Sequence, residues 1–110
     1  MVRNLGAQAS VFNQFISELR DATIQQDSLR FRFNMERLGA IFAYEISRQL
    51  DYEVKEVVTP LGVAEVPVLK DYPVLATILR AGLPVHRGMM NVFDKSENAF
   101  VSAYRKHSKD

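Results

Sequence analysis

An α/β domain built on a parallel βαβ unit is what this sequence predicts, and three stretches carry the prediction. Residues 73–79, PVLATIL, form a near-continuous apolar run of strand length, the pattern of a strand buried on both faces. NAFVSAYR, residues 98–105, reads as a second buried strand. Between them LPVHRGMMNVF has helical spacing, with Leu83, Met90 and Phe93 as its inward residues.

The elements ahead of this unit follow in order. SVFNQFISELRD predicts a short helix, capped by Ser10, whose stripe is Phe12, Phe15, Ile16 and Leu19. TIQQD is a polar linker. A longer helix is predicted over residues 28–50, with Asp27 as its N-cap. Its stripe is Phe31, Met35, Leu38, Phe42, Ile46 and Leu50, widened by Leu29 and Ile41. Gly39 in its middle costs about 1 kcal/mol relative to alanine, which points to a close packing contact there. Alternation in YEVKEVVT and its return over residues 63–69 predict a hairpin. Pro60 and Gly62 stand at the second and fourth positions of its turn. Pro67 lacks an N–H, so the return strand is expected at an edge.

Bulk composition narrows the function. The 110 residues suit one domain, 47% apolar and 25% charged, as in ordinary soluble proteins. A net charge of +1 gives no field that points to nucleic acid or to a membrane surface. The chain has no cysteine, hence no disulfide framework and no thiolate zinc site. MVRNLGAQAS lacks the apolar core of a signal peptide, and no apolar run approaches the roughly 20 residues that span a bilayer. The expectation is a cytoplasmic protein that binds neither membrane nor nucleic acid.

In parallel sheets, ligands sit beyond the carboxyl ends of the strands. Arg80 ends the first strand of the unit and Arg105 the second. Ala81 and Gly82 let a ligand approach the backbone, and the next helix offers unpaired N–H groups. Two guanidiniums at one sheet edge suit a phosphate or diphosphate. On spacing alone they are as readily solvated strand ends, and "RAG" is far less specific than a Walker loop.

The combination carries a resemblance. LATILRAGLPVHRGM followed by FVSAYR resembles the N-terminal half of uracil phosphoribosyltransferases, where a strand ends in I-L-R-A-G-L and a later one in tyrosine-arginine. RFRFNMERLGAIFAYE resembles the family's upstream helix with its R-F-R, glycine and tyrosine-glutamate pair. The resemblance implies the N-terminal half of a type I phosphoribosyltransferase fold: two helices, a β-hairpin and a βαβ unit of a parallel sheet. It implies a reaction in which uracil attacks C1 of 5-phosphoribosyl 1-diphosphate (PRPP), giving uridine monophosphate and diphosphate. Arg80, Ala81, Gly82 and Arg105 would then bind the diphosphate of PRPP, with magnesium accompanying that substrate. None of these residues is expected to be catalytic in the narrow sense, and none to ligate a metal.

Two family motifs have no counterpart here. One is the D-P-M-L-A-T-G-G-S loop that cradles the ribose 5-phosphate; the other is the segment that recognises uracil. A family member is about twice this length. Residues 1–110 are therefore read as a single partial domain, inactive alone: a truncated gene, a proteolytic product or one piece of a split enzyme. An open sheet edge and bare apolar faces predict a homo-oligomer or a complementing C-terminal half. The alternative is a non-catalytic paralogue acting as a dimerisation or regulatory module.

Other charged residues receive structural roles. His86 and His107 lack a carboxylate partner and are read as non-catalytic. Arg87 is read as a solvated helix residue, with help at an anion site as the lesser alternative, Arg30 and Arg32 as ion-pair residues, and Tyr44 and Glu45 as helix packing and surface contacts.

Overall fold

The computed structural model describes residues 2–103. Tyr104, Arg105, His107 and the basic tail, singled out above, lie outside the described residues. The order is α1 (Val11–Arg20), α2 (Ser28–Ser47), β1 (Tyr52–Thr59), β2 (Gly62–Leu69), β3 (Leu75–Leu79), α3 (Leu83–Val92) and β4 (Asn98–Ser102). Short 3-10 turns at Leu5–Ala7 and Ile24–Gln26 precede α1 and α2, the second lying within the polar linker.

Ser10 caps α1 as expected, accepting from the Phe12 amide at 3.2 Å while Asn13 reaches back to the Ser10 amide. Asp27 caps α2 through the Arg30 amide at 3.1 Å. After Ser47 the backbone tightens into i→i+3 bonds, Gln49 to Ile46 and Leu50 to Ser47, so α2 stops short of the predicted Leu50.

α1 and α2 are joined by a polar network that the apolar stripes did not foretell. Glu18 is buried and accepts hydrogen bonds from Arg30 Nε, Gln14 Nε2 and Asn34 Nδ2. Asn34, itself 1% exposed, accepts in turn from Arg37 at 2.9 Å. The hydrogen bond from Arg30, then those from Gln14 and Asn34, hold the Glu18 carboxyl down at about 2 against an ordinary 4.5. A depressed carboxyl stabilises the fold above its unfolded value and loses that contribution as pH falls from about 4.5 towards about 2. The expected result is that Glu18→Gln lowers the urea midpoint at pH 7, and that the gap to the parent closes between pH 4.5 and 2. A gap independent of pH would contradict this account of Glu18.

The hairpin pairs Tyr52 with Leu69 and Thr59 with Gly62, and Pro60–Leu61 form its turn. Gly62 takes φ +137°, a conformation that side chains resist. β1 and β2 form a sheet of their own, so Pro67 does lie on an edge strand. Beyond its base at Tyr52 and Leu69 the hairpin packs on no other helix or strand among the described residues, which measure 69 × 33 × 30 Å.

β3 and β4 pair in parallel, Leu75 opposite Asn98 and Leu79 opposite Ser102, with α3 as the crossover. Burial differs from the expectation of strands covered on both faces. In β3 Leu75 and Thr77 face the helices and are buried, while Ala76 and Ile78 are exposed; β4 is exposed throughout. The helices cover one face of this sheet, and nothing among the described residues covers the other. The core gathers Leu38, Ala43, Leu75 and Phe93, flanked by Met89, Met90 and Val92. Phe93 and Met90 point inward as predicted. Leu83 does not: it is 40% exposed, bordering a groove together with Leu29 and Phe33 of α2. Leu29, Phe31 and Ile46 of the predicted α2 stripe are likewise exposed, since α3 covers only the middle of that helix.

That middle is where the two helices meet most closely. A Cβ on Gly39 would stand 2.1 Å from the Val85 carbonyl oxygen, and one on Gly88 would stand 1.8 Å from that of Glu36. The packing contact inferred at Gly39 is present, and Gly88 is its counterpart on α3.

Candidate functional site

The loop from β3 to α3 carries the first three predicted site residues. Arg80 is exposed at the carboxyl end of β3, Ala81 is exposed, and Gly82 is the N-cap of α3. The Leu79–Arg80 peptide is cis. Gly82 donates to the Ile78 carbonyl at 3.1 Å, and Leu83 donates to that of Arg80 at 3.1 Å. A Cβ on Gly82 would come within 2.8 Å of the Ile78 oxygen, so the tight turn itself requires glycine. The Gly82 amide is spent on that turn; the Ala81 amide makes no backbone hydrogen bond among the described residues. The loop thus offers an exposed guanidinium and a free N–H at the amino end of a helix. Arg105 lies outside the described residues; the parallel register puts Ser102 level with Leu79.

His86 braces this loop from below. Its Nδ1 is 2.6 Å from Thr77 Oγ1, and its ring meets that of Phe100 edge-on at 5.2 Å. The side chain is 6% exposed and ties α3 to β3 and β4.

A groove of about 500 Å³ opens beside the loop, between α2 and α3. Arg80, Arg32 and Arg87 line it, with Leu29, Phe33 and Leu83 as an apolar wall. One sequence expectation changes here. Arg30 forms its ion pair, with Glu18, but Arg32 has none among the described residues; it stands on the groove because Leu29, Arg32, Phe33 and Glu36 share one face of α2. Arg87 is exposed, as its reading as a solvated helix residue has it, and borders the same groove. The 3-and-4 spacing of residues 29, 32, 33 and 36 is the signal for this face, masked in the sequence because Leu29 also extends the core stripe. Tyr44 is 61% exposed and not packed, while Glu45 pairs with Arg48 at 3.6 Å as a surface contact.

Similarity to known proteins agrees with this arrangement. The family model described as uracil phosphoribosyltransferase matches residues 7–110. The chain is 59% identical over 106 residues to a uracil phosphoribosyltransferase of Porphyromonas gingivalis, covering 96% of this chain and 49% of that protein. It is 37% identical over 99 residues to the uracil phosphoribosyltransferase of Metallosphaera sedula, covering 87% and 45%. The solved structure of the AQ2163 protein from Aquifex aeolicus superposes with a TM-score of 0.75 at 26% identity, covering 91% of this chain and 47% of that one. The chain spans about half the length of the curated relatives it matches.

Proposed function

Because the chain belongs to the uracil phosphoribosyltransferase family, we propose that it contributes the diphosphate end of a site that converts uracil and PRPP to uridine monophosphate and diphosphate. The observation that carries the reading is Arg80, exposed at the end of β3 beside an unspent amide and the start of α3. As the bond from C1 to diphosphate breaks, negative charge builds on the departing group. A fixed guanidinium and an N–H aimed there hold the transition state more tightly than the ground state. Ala81, Gly82 and Arg105 complete this end of the site: Gly82 by allowing the turn, Ala81 by its amide, Arg105 by a second fork.

Contacts to the ribose 5-phosphate and to uracil are assigned to residues beyond this stretch. Magnesium enters as part of the substrate. The metal is proposed to accompany the phosphates of PRPP and to share their charge. A cytoplasmic setting goes with this reading, and no described helix is long and apolar enough to cross a membrane.

Self-association belongs to the same proposal. An isolated two-stranded ribbon is marginal in water. This one exposes Val54, Val58 and Val63 on the face where Glu56 and Glu65 stand directly opposite each other, an arrangement that a second chain would cover.

The test is formation of uridine monophosphate by a family-length protein that carries these residues. Turnover with uracil and PRPP is expected; its absence in a folded protein would overturn the reading.

A further inference from the structure

We infer that Thr77 and His86 are positioning residues for the transfer step, acting on the Arg80–Gly82 loop through the hydrogen bond that joins them. The inference rests on the transferase reading and gives a role to two residues which that reading leaves unused. Thr77 Oγ1 and His86 Nδ1 are 2.6 Å apart, and both side chains are buried. Their bond runs from β3 to the first turn of α3, across the base of the loop. Gly82 is held between the same two residues. The His86 amide donates to the Gly82 carbonyl at 2.9 Å. A Cβ on Gly82 would stand 3.0 Å from the Thr77 methyl carbon. Strand, loop and helix thus close a ring at Gly82. Arg80 and Ala81 are exposed, so the ring beneath them sets where they point.

The chemistry of His86 singles out Nδ1. Its Nε2 is buried with no hydrogen-bond partner among the described residues, which costs stability. An apolar side chain would fill the same space beside Phe100 without that cost. What the imidazole adds is the bond to Thr77, and Phe100, edge-on at 5.2 Å, holds the ring in place for it. Charge builds on diphosphate as its bond to C1 breaks, and donors already aimed there need no reorganisation at that moment. Loosening the ring therefore acts on kcat and spares the binding of uracil.

Thr77→Val with His86→Leu, made together in a family-length protein, tests this. The pair replaces both partners by apolar groups of similar shape, keeps a methyl against Gly82 and removes the unpaired nitrogen. The melt is therefore expected to stay within a few degrees of the parent. By contrast, kcat should fall about tenfold with KM for uracil unchanged. Amide hydrogen exchange at Gly82 and Leu83, which bond to the Ile78 and Arg80 carbonyls, should quicken about tenfold. His86→Asn, whose amide can stand where Nδ1 stands, should recover part of kcat. Leu75→Val, buried at the far end of β3, is the control: it should lower the melt and leave kcat and the loop's exchange unchanged. Parental kcat in the double variant, or unchanged exchange at Gly82 and Leu83, would overturn the inference. So would an equal fall in kcat for Leu75→Val, which would make the effect one of stability alone. Exchange needs no turnover, so failure here and failure of the transferase reading are told apart.

Discussion

Replacing Arg80 by alanine in a family-length protein is expected to lower kcat/KM for PRPP about a hundredfold, with little change in melting temperature. The side chain is exposed and ends a strand, so folding draws little on it. Its contribution appears as charge moves onto the leaving diphosphate. Loss of one such donor costs about 3 kcal/mol in the transition state. Arg105→Ala should behave alike, and Arg105→Lys should recover part of the loss, because lysine keeps the charge without the planar fork. Steady-state kinetics with a melt as control decide the matter. Near-parental kcat/KM in both alanine variants would make these arginines solvated strand ends.

The largest effect on stability is expected at Gly88. Gly88→Ala places a Cβ 1.8 Å from the Glu36 carbonyl oxygen and 2.9 Å from the Ala40 nitrogen. Both are helix backbone, so no side chain can rotate away, and α2 and α3 must move apart. Alanine gains about 1 kcal/mol in helix propensity, yet the overlap outweighs it. A net loss of about 3 kcal/mol, seen as a melting temperature lower by more than about 10 °C, is the expected outcome. Gly39→Ala should act similarly through the Val85 oxygen at 2.1 Å. Gly6→Ala, whose Cβ meets nothing closer than 3.4 Å, is the control. A melt of Gly88→Ala within a degree or two of the parent would contradict the close crossing. Since Gly82 is the N-cap of α3, the crossing also fixes where the loop sits.

Much of this architecture was legible because it rests on local rules. Ser10 and Asp27 capped the helices they were expected to cap, Pro60 and Gly62 bracketed the hairpin turn, and β3, α3 and β4 formed the parallel unit. What was not legible depends on what covers each face. An apolar run such as LATIL looks the same whether one face is buried or two, and Ile78 at 61% exposure shows that one is open here. The buried network of Glu18 and Asn34 was missed because a polar residue on a helix reads as a solvated one until its partner on the next helix is known. At the site, the strand-end position of Arg80 could be read from the sequence. The convergence of Arg32 and Arg87 on the same groove could not, since it depends on how α2 and α3 cross at Gly39 and Gly88.

The central claim, that these residues supply one end of a uracil phosphoribosyltransferase site, is tested most directly by complementation. The 110-residue chain is mixed with a separately made segment carrying the family's glycine-rich phosphate loop and uracil-recognition segment, and uridine monophosphate formed from uracil and PRPP is measured. The account predicts that each piece alone is silent and that the mixture turns over. Turnover by the 110-residue chain alone would contradict it, as would a silent mixture of pieces whose uninterrupted parent is active.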